Sequence, residues 1–218
     1  MRHLPLLLLT ASLSIQAATP PPGVDPQSLS RLPMIPRSSL DSEGKRIFDA
    51  INTVVPGKQE EFPRMGPPAA TMYGIAAAEP FDKLNQLLRK TVAGPAFFEI
   101  CTLLAAREHD QEYEWASHEA GAKRAGVGAA TIDVIRYNRS PQGLPEKDRV
   151  VIEFGRQLLK QHRLEPATYN KMVELFGKQG FMELTMTLGD YVMTAIVLNA
   201  VDQRVPPERE LNLPIEKK

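Results

Sequence analysis

The chain has 218 residues, and its 26 Lys and Arg offset its 26 Asp and Glu, so the formal net charge is zero. No basic run breaks that balance, which argues against nucleic acid and against an anionic membrane surface as partners. The only thiol is Cys101, which excludes an internal disulfide and a dithiol redox cycle within one chain.

The opening MRHLPLLLLTASLSIQAATPPPG places Arg2 and His3 before an apolar run from Leu4 to Ile15, with Ala17 and Ala18 after it. Residues 1–18 therefore read as a secretory signal peptide. The run is shorter than the roughly 20 apolar residues that a membrane span requires. The expectation is a periplasmic or secreted protein with no membrane association once the signal is removed. Residues 19–40 hold six prolines, which forbid helix and predict an extended tether or a strap on the domain.

From residue 41 to 218 the punctuation is helical and no stretch alternates with period two, so the fold class is all-α in one compact domain. SSLDSEGKRIFDAINTVV begins with Ser and Asp caps and spaces Ile47, Ile51 and Val54 as a helix does. The Pro- and Gly-rich PGKQEEFPRMGPPAATMYG reads as a loop, followed by a helix over Phe81–Lys90 with Phe81, Leu84, Leu87 and Leu88 on one stripe. GPAFFEICTLLAARE is apolar nearly all round, as a buried central helix is. QEYEWASHEAGAKRAG is the next helix, ended by Gly126. ATIDVIRY, LPEKDRVVIEFGRQLLKQH, EPATYNKMVELFG and GFMELTMTLGDYVMTAIVLNAV complete the set. Glu183 and Asp190 interrupt the last, which makes it a core or subunit-contact helix rather than a span.

Two of these helices carry the chemistry. Glu99 is the only charged residue between Gly94 and Ala106, and a buried carboxylate must be paired, protonated or set in a cavity wall. On the following helix Gln111, Glu114, Trp115, His118, Ala122 and Ala125 share one face at about 100° per residue. A short link at His109 and Asp110 makes the two helices antiparallel neighbours, with His118 the candidate partner of Glu99. Such a pair suits proton transfer near neutral pH, although a structural hydrogen bond would explain it as well.

Glu99, then 18 residues, then His118, with YEW just before that histidine, resembles the carboxymuconolactone decarboxylase and alkylhydroperoxidase superfamily. The order of helices from RIFDAI to GDYVMTAIVLNAV agrees with it. The resemblance implies a compact multi-helix bundle of the carboxymuconolactone decarboxylase-like type, assembled as a homo-oligomer, trimer or hexamer. The hydroperoxidase branch places a C-x-x-C ahead of the histidine. Here Gln111 and Glu114 stand at the cysteine positions, so the resemblance points to the decarboxylase-like branch.

On that basis Glu99, His118 and Glu114 are the candidate catalytic residues, and Trp115, Arg107, Gln111 and Tyr73 the candidate substrate-binding residues. The substrate is a small carboxylated lactone or oxo-acid, and no cofactor or metal is expected. Several alternatives stay open: Glu114 as a helix-start charge, Trp115 as core, Arg107 as a helix-end charge, and Tyr73 with Met72 as parts of a lid. A binding or scaffold protein that has lost catalysis, and peroxide reduction by Cys101, are the competing functions.

Overall fold

The computed structural model describes residues 21–53 and 57–215. The expected signal peptide and Val54 lie outside the described residues. Helices run in the order α1 (Ser42–Asn52), α2 (Pro67–Thr71), α3 (Ile75–Leu88), α4 (Pro95–Glu108), α5 (Glu112–Arg124), α6 (Ala129–Arg136), α7 (Glu146–Arg156) and α8 (Pro166–Ala200). Among the described residues the only β pairing is an isolated bridge between Asp25 and Ser30.

The sequence explains most of the boundaries. Asp41 caps α1 by accepting from the Gly44 amide at 2.7 Å, and Ile47, Phe48 and Ile51 bury the face the spacing predicts. The stretch before Phe81 is the expected loop only over residues 57–66; from Pro67 it is helical. Pro67 and Pro68 occupy the first helical positions of α2, where a missing N–H costs nothing. A 3₁₀ turn at Met72–Gly74 leads into α3, which begins at Ile75 and carries Pro80 inside it. The stripe expected on α3 is only partly used: Leu88 is buried, Phe81 and Leu84 are half-buried, and Leu87 is exposed.

Helix α4 is the centre of the molecule and packs against α5, α6, α7 and α8. Ile100, Cys101, Leu103 and Ala105 are fully buried on it. Of these, the Ile100 and Leu103 side chains each contribute roughly 1.5–3 kcal/mol of transfer free energy. Gly177, with φ of 67° and ψ of 172°, breaks α8 into two segments, where the sequence ends one helix and starts the next. The second segment is apolar enough by composition to cross a membrane, but Leu184, Leu188, Tyr191, Ala195 and Leu198 are buried in the core. Its opposite side exposes Met182, Met186, Met193 and Ile196.

The proline-rich segment is fastened to the end of α8. The Arg31 amide donates to the Val201 carbonyl, and the Arg204 amide to the Leu29 carbonyl, each at 2.7 Å. Gln203 Nε2 donates to the Ser28 carbonyl at 3.0 Å. These bonds satisfy backbone groups that a chain without helix or sheet would leave open.

Candidate active site

Helices α4 and α5 face each other antiparallel, and their polar residues meet across the contact. His118 Nδ1 lies 2.7 Å from Glu99 Oε2. His118 Nε2 lies 3.3 Å from Glu114 Oε2, one turn earlier on α5. The imidazole is thus held at both nitrogens by carboxyl groups from two helices. Thr102 donates to the Glu99 backbone carbonyl at 2.8 Å and approaches its Oε2 at 3.4 Å. Glu99, Glu114 and His118 are all buried.

Gly121 makes this arrangement possible. A Cβ at that position would fall 2.5 Å from Glu99 Oε1 and 2.8 Å from its carboxyl carbon. The small residue on α5 is the space into which the Glu99 carboxyl fits.

His118 and Glu114 open onto a cavity of about 380 Å³, to which Arg64, Arg89, Asn85, Tyr113 and Tyr191 also contribute. A volume of this order accommodates a small organic acid. Burial disfavours the charged form of His118, but Glu114 and Glu99 outweigh it and raise the imidazole to about 8. At neutral pH the ring is mainly an imidazolium, a proton donor with its Nε2 end beside the cavity. Tyr191 stands edge-on to it, with ring centroids 4.8 Å apart. Burial pushes the Tyr191 phenol up, against the pull of Arg89, so it stays neutral.

Four of the expected binding residues lie elsewhere. Trp115 is fully buried in the main core, where its Nε1 donates to Glu119 at 2.9 Å and Arg136 covers its ring at 5.5 Å. The indole N–H takes the partner that a buried tryptophan needs, and the pocket-wall reading is corrected to core. Arg107 donates to Asp110 and to the Pro214 carbonyl, both at 2.6 Å, tying down the C-terminal tail. Gln111 caps α5 by accepting from the Tyr113 amide and donates to Asn199, both at 2.8 Å. The exposed Tyr73 donates to the Pro33 carbonyl at 2.8 Å, and Met72 is buried in a second, smaller core cluster. His109, at the end of α4, turns its Nδ1 to the Ala105 carbonyl at 3.0 Å.

Sequence reasoning missed Arg64, Arg89, Asn85, Tyr113 and Tyr191. Tyr191 sits in an apolar helix, where an aromatic residue reads as core, and Arg89 sits at a helix end, where a cation is ordinary. The available signal was GDYV in α8, where a polar pair interrupts an otherwise apolar run.

No family model and no curated protein sequence matches the chain. Among solved structures the chain is similar to one described as the alkylhydroperoxidase AhpD core, an uncharacterized peroxidase-related protein from Ralstonia eutropha JMP134. The TM-score is 0.65 at 14% identity, covering 82% of this chain and 93% of that one. The chain therefore has the AhpD-like all-helical fold.

Proposed function

We propose that the chain is a cofactor-free acid–base enzyme of the decarboxylase-like kind, acting on a small carboxylated lactone or oxo-acid held in the cavity. The observation that carries this reading is His118, gripped at 2.7 Å by Glu99 and at 3.3 Å by Glu114 beside a cavity that also holds two arginines. In the proposed step the bond between the substrate carbon and its carboxylate breaks and CO₂ leaves. The electron pair passes into the neighbouring carbonyl as an enolate. His118 then delivers its proton to that carbon, and water restores the imidazolium. Glu99 fixes the ring through Nδ1 and keeps it basic enough to be recharged.

Peroxide reduction is disfavoured on this chain's residues. Cys101 is fully buried on α4, and burial pushes its thiol far above the range in which a thiolate forms. The rival of different class is a protein that binds a small acid without converting it. Incubating the protein with β-oxo acids and carboxylated lactones while measuring CO₂ release separates the two. The wild type should release CO₂, and His118→Ala should lose about 10²-fold or more in turnover. Unchanged turnover in that variant, or bound acid recovered intact throughout the series, would remove the proposal.

Two further parts of the reading concern the setting. Residues 1–18 are proposed as an export signal, which N-terminal sequencing of the mature protein would test. The apolar side of α8 at Met182, Met186, Met193 and Ile196 is proposed to join copies of the chain into a trimer or hexamer, which mass measurement in solution would test.

A further inference from the structure

Tyr191 has more behind it than a core aromatic needs. Only 2% of its surface is exposed, and that side chain lines the cavity that His118 opens onto. Its ring is held edge-on by Phe98, with centroids 5.5 Å apart, and by His118 at 4.8 Å. The hydroxyl oxygen accepts from Arg89 Nη2 at 2.9 Å. Arg89 is fixed in turn, with its Nε donating to Asn85 Oδ1 at 3.0 Å and its guanidinium lying 5.1 Å over the Phe98 ring.

A phenol has one hydrogen to give as well as lone pairs to receive. Arg89 fills an accepting position and the Asn85 side chain also stands against the hydroxyl, but among the described residues the Tyr191 O–H makes no close donation of its own. The cavity is the place left for it. Donation from a guanidinium also polarises the O–H bond and strengthens it as a donor. Arg89 forms no direct ion pair among the described residues; the carboxylate it feels is Asp190, reached through Asn85, whose Nδ2 donates to Asp190 Oδ2 at 2.9 Å.

We propose that Tyr191 is a further catalytic residue: its hydroxyl, held by Arg89, donates a hydrogen bond to the substrate oxygen that becomes negative when CO₂ leaves. Arg89 is the positioning residue behind it. His118 and Tyr191 then divide the work, one supplying the proton to carbon and the other steadying the oxyanion. The inference rests on the acid–base reading of the cavity, but its test involves no turnover.

The test uses 4-nitrophenol, whose phenolate presents an oxyanion on a flat ring and whose ionisation is visible by absorbance. Wild-type protein should bind the phenolate in preference to the neutral phenol. Tyr191→Phe should weaken phenolate binding by about 10- to 100-fold, the range for a hydrogen bond to a charged group. Arg89→Gln should reproduce much of that loss, and Arg89→Lys should restore part of it. The arginine variants keep the test decisive if the phenylalanine variant folds poorly. No phenolate preference in the wild type, or unchanged binding in both Tyr191→Phe and Arg89→Gln, overturns the proposal. A failed titration with CO₂ release intact removes the role of Tyr191 alone, whereas absent CO₂ release removes the acid–base reading and with it that role, even where phenolate binds.

Discussion

Gly121 and Glu99 stand on facing helices so close together that a methyl group on the glycine would lie 2.5 Å from the carboxyl oxygen Oε1. Real Cβ contacts of that length do not persist, so either the carboxyl or the helix must move. The position of Glu99 opposite His118 is therefore set by the absence of a side chain on α5.

Gly121→Ala should displace the Glu99 carboxyl and loosen its bond to His118. Alanine favours helix over glycine by about 1 kcal/mol, so any loss of stability would be the net of that gain and an overpacking cost of roughly 1–3 kcal/mol. The expected result is a modest fall in melting temperature with a much larger fall in turnover. Full turnover in this variant would show that the Glu99–His118 contact is dispensable.

The pH dependence of stability has a defined sign. His118 moves from an ordinary 6.5 to about 8 in the folded chain: burial opposes the charge, and Glu114 and Glu99 overcome it. Because the folded value lies above the unfolded one, the stabilisation is fully present below about 6.5 and is lost as pH rises through about 8. It amounts to something on the order of 2 kcal/mol. The titratable groups around the ring are Glu99 on α4, Glu114 on α5 and Tyr191 on α8, with Arg89 behind Tyr191 at the end of α3. Denaturant titrations at several pH values should show a decline between these limits that His118→Gln abolishes. A flat profile in the wild type would contradict the paired imidazolium.

Glu114→Gln keeps a hydrogen-bonding side chain beside Nε2 but removes its charge. The His118 titration, followed by NMR of the ring protons, should shift to lower pH, and the alkaline limit of activity should shift with it. A titration unmoved by this change would make Glu114 an ordinary helix-start charge.

Cys101→Ala should leave turnover nearly unchanged and cost about 1 kcal/mol of stability through the small void it opens in α4. If wild-type protein reduced a peroxide and this variant did not, thiol chemistry would have to be restored to the account.

Much of the fold was legible because hydrophobic period and punctuation agree locally, as at the Asp41 cap of α1 and the break at Gly177 in α8. The entry to α3 was not, because Pro67, Pro68 and Pro80 read as loop residues. Two of them sit at the start of a helix, and the third is tolerated inside one. The Glu99–His118 pair was legible since a lone carboxylate in an apolar helix needs a partner. Trp115 was misplaced because a helical face is broad. It stands about 60° from His118 around α5, far enough for one to meet the cavity and the other the core. Arg89 and Tyr191 reach the site from elements about 100 residues apart in sequence, a juxtaposition that only packing creates.

The central claim is that His118 places the proton on the carbon that loses CO₂. Turnover of a β-oxo acid in deuterium oxide, with the product examined by NMR for the position and handedness of the deuterium, tests it most directly. A single proton donor on one side of the cavity predicts deuterium on one face of that carbon in the wild type, and slow, unselective labelling in His118→Gln. Equal rate and equal selectivity in the variant would contradict the assignment.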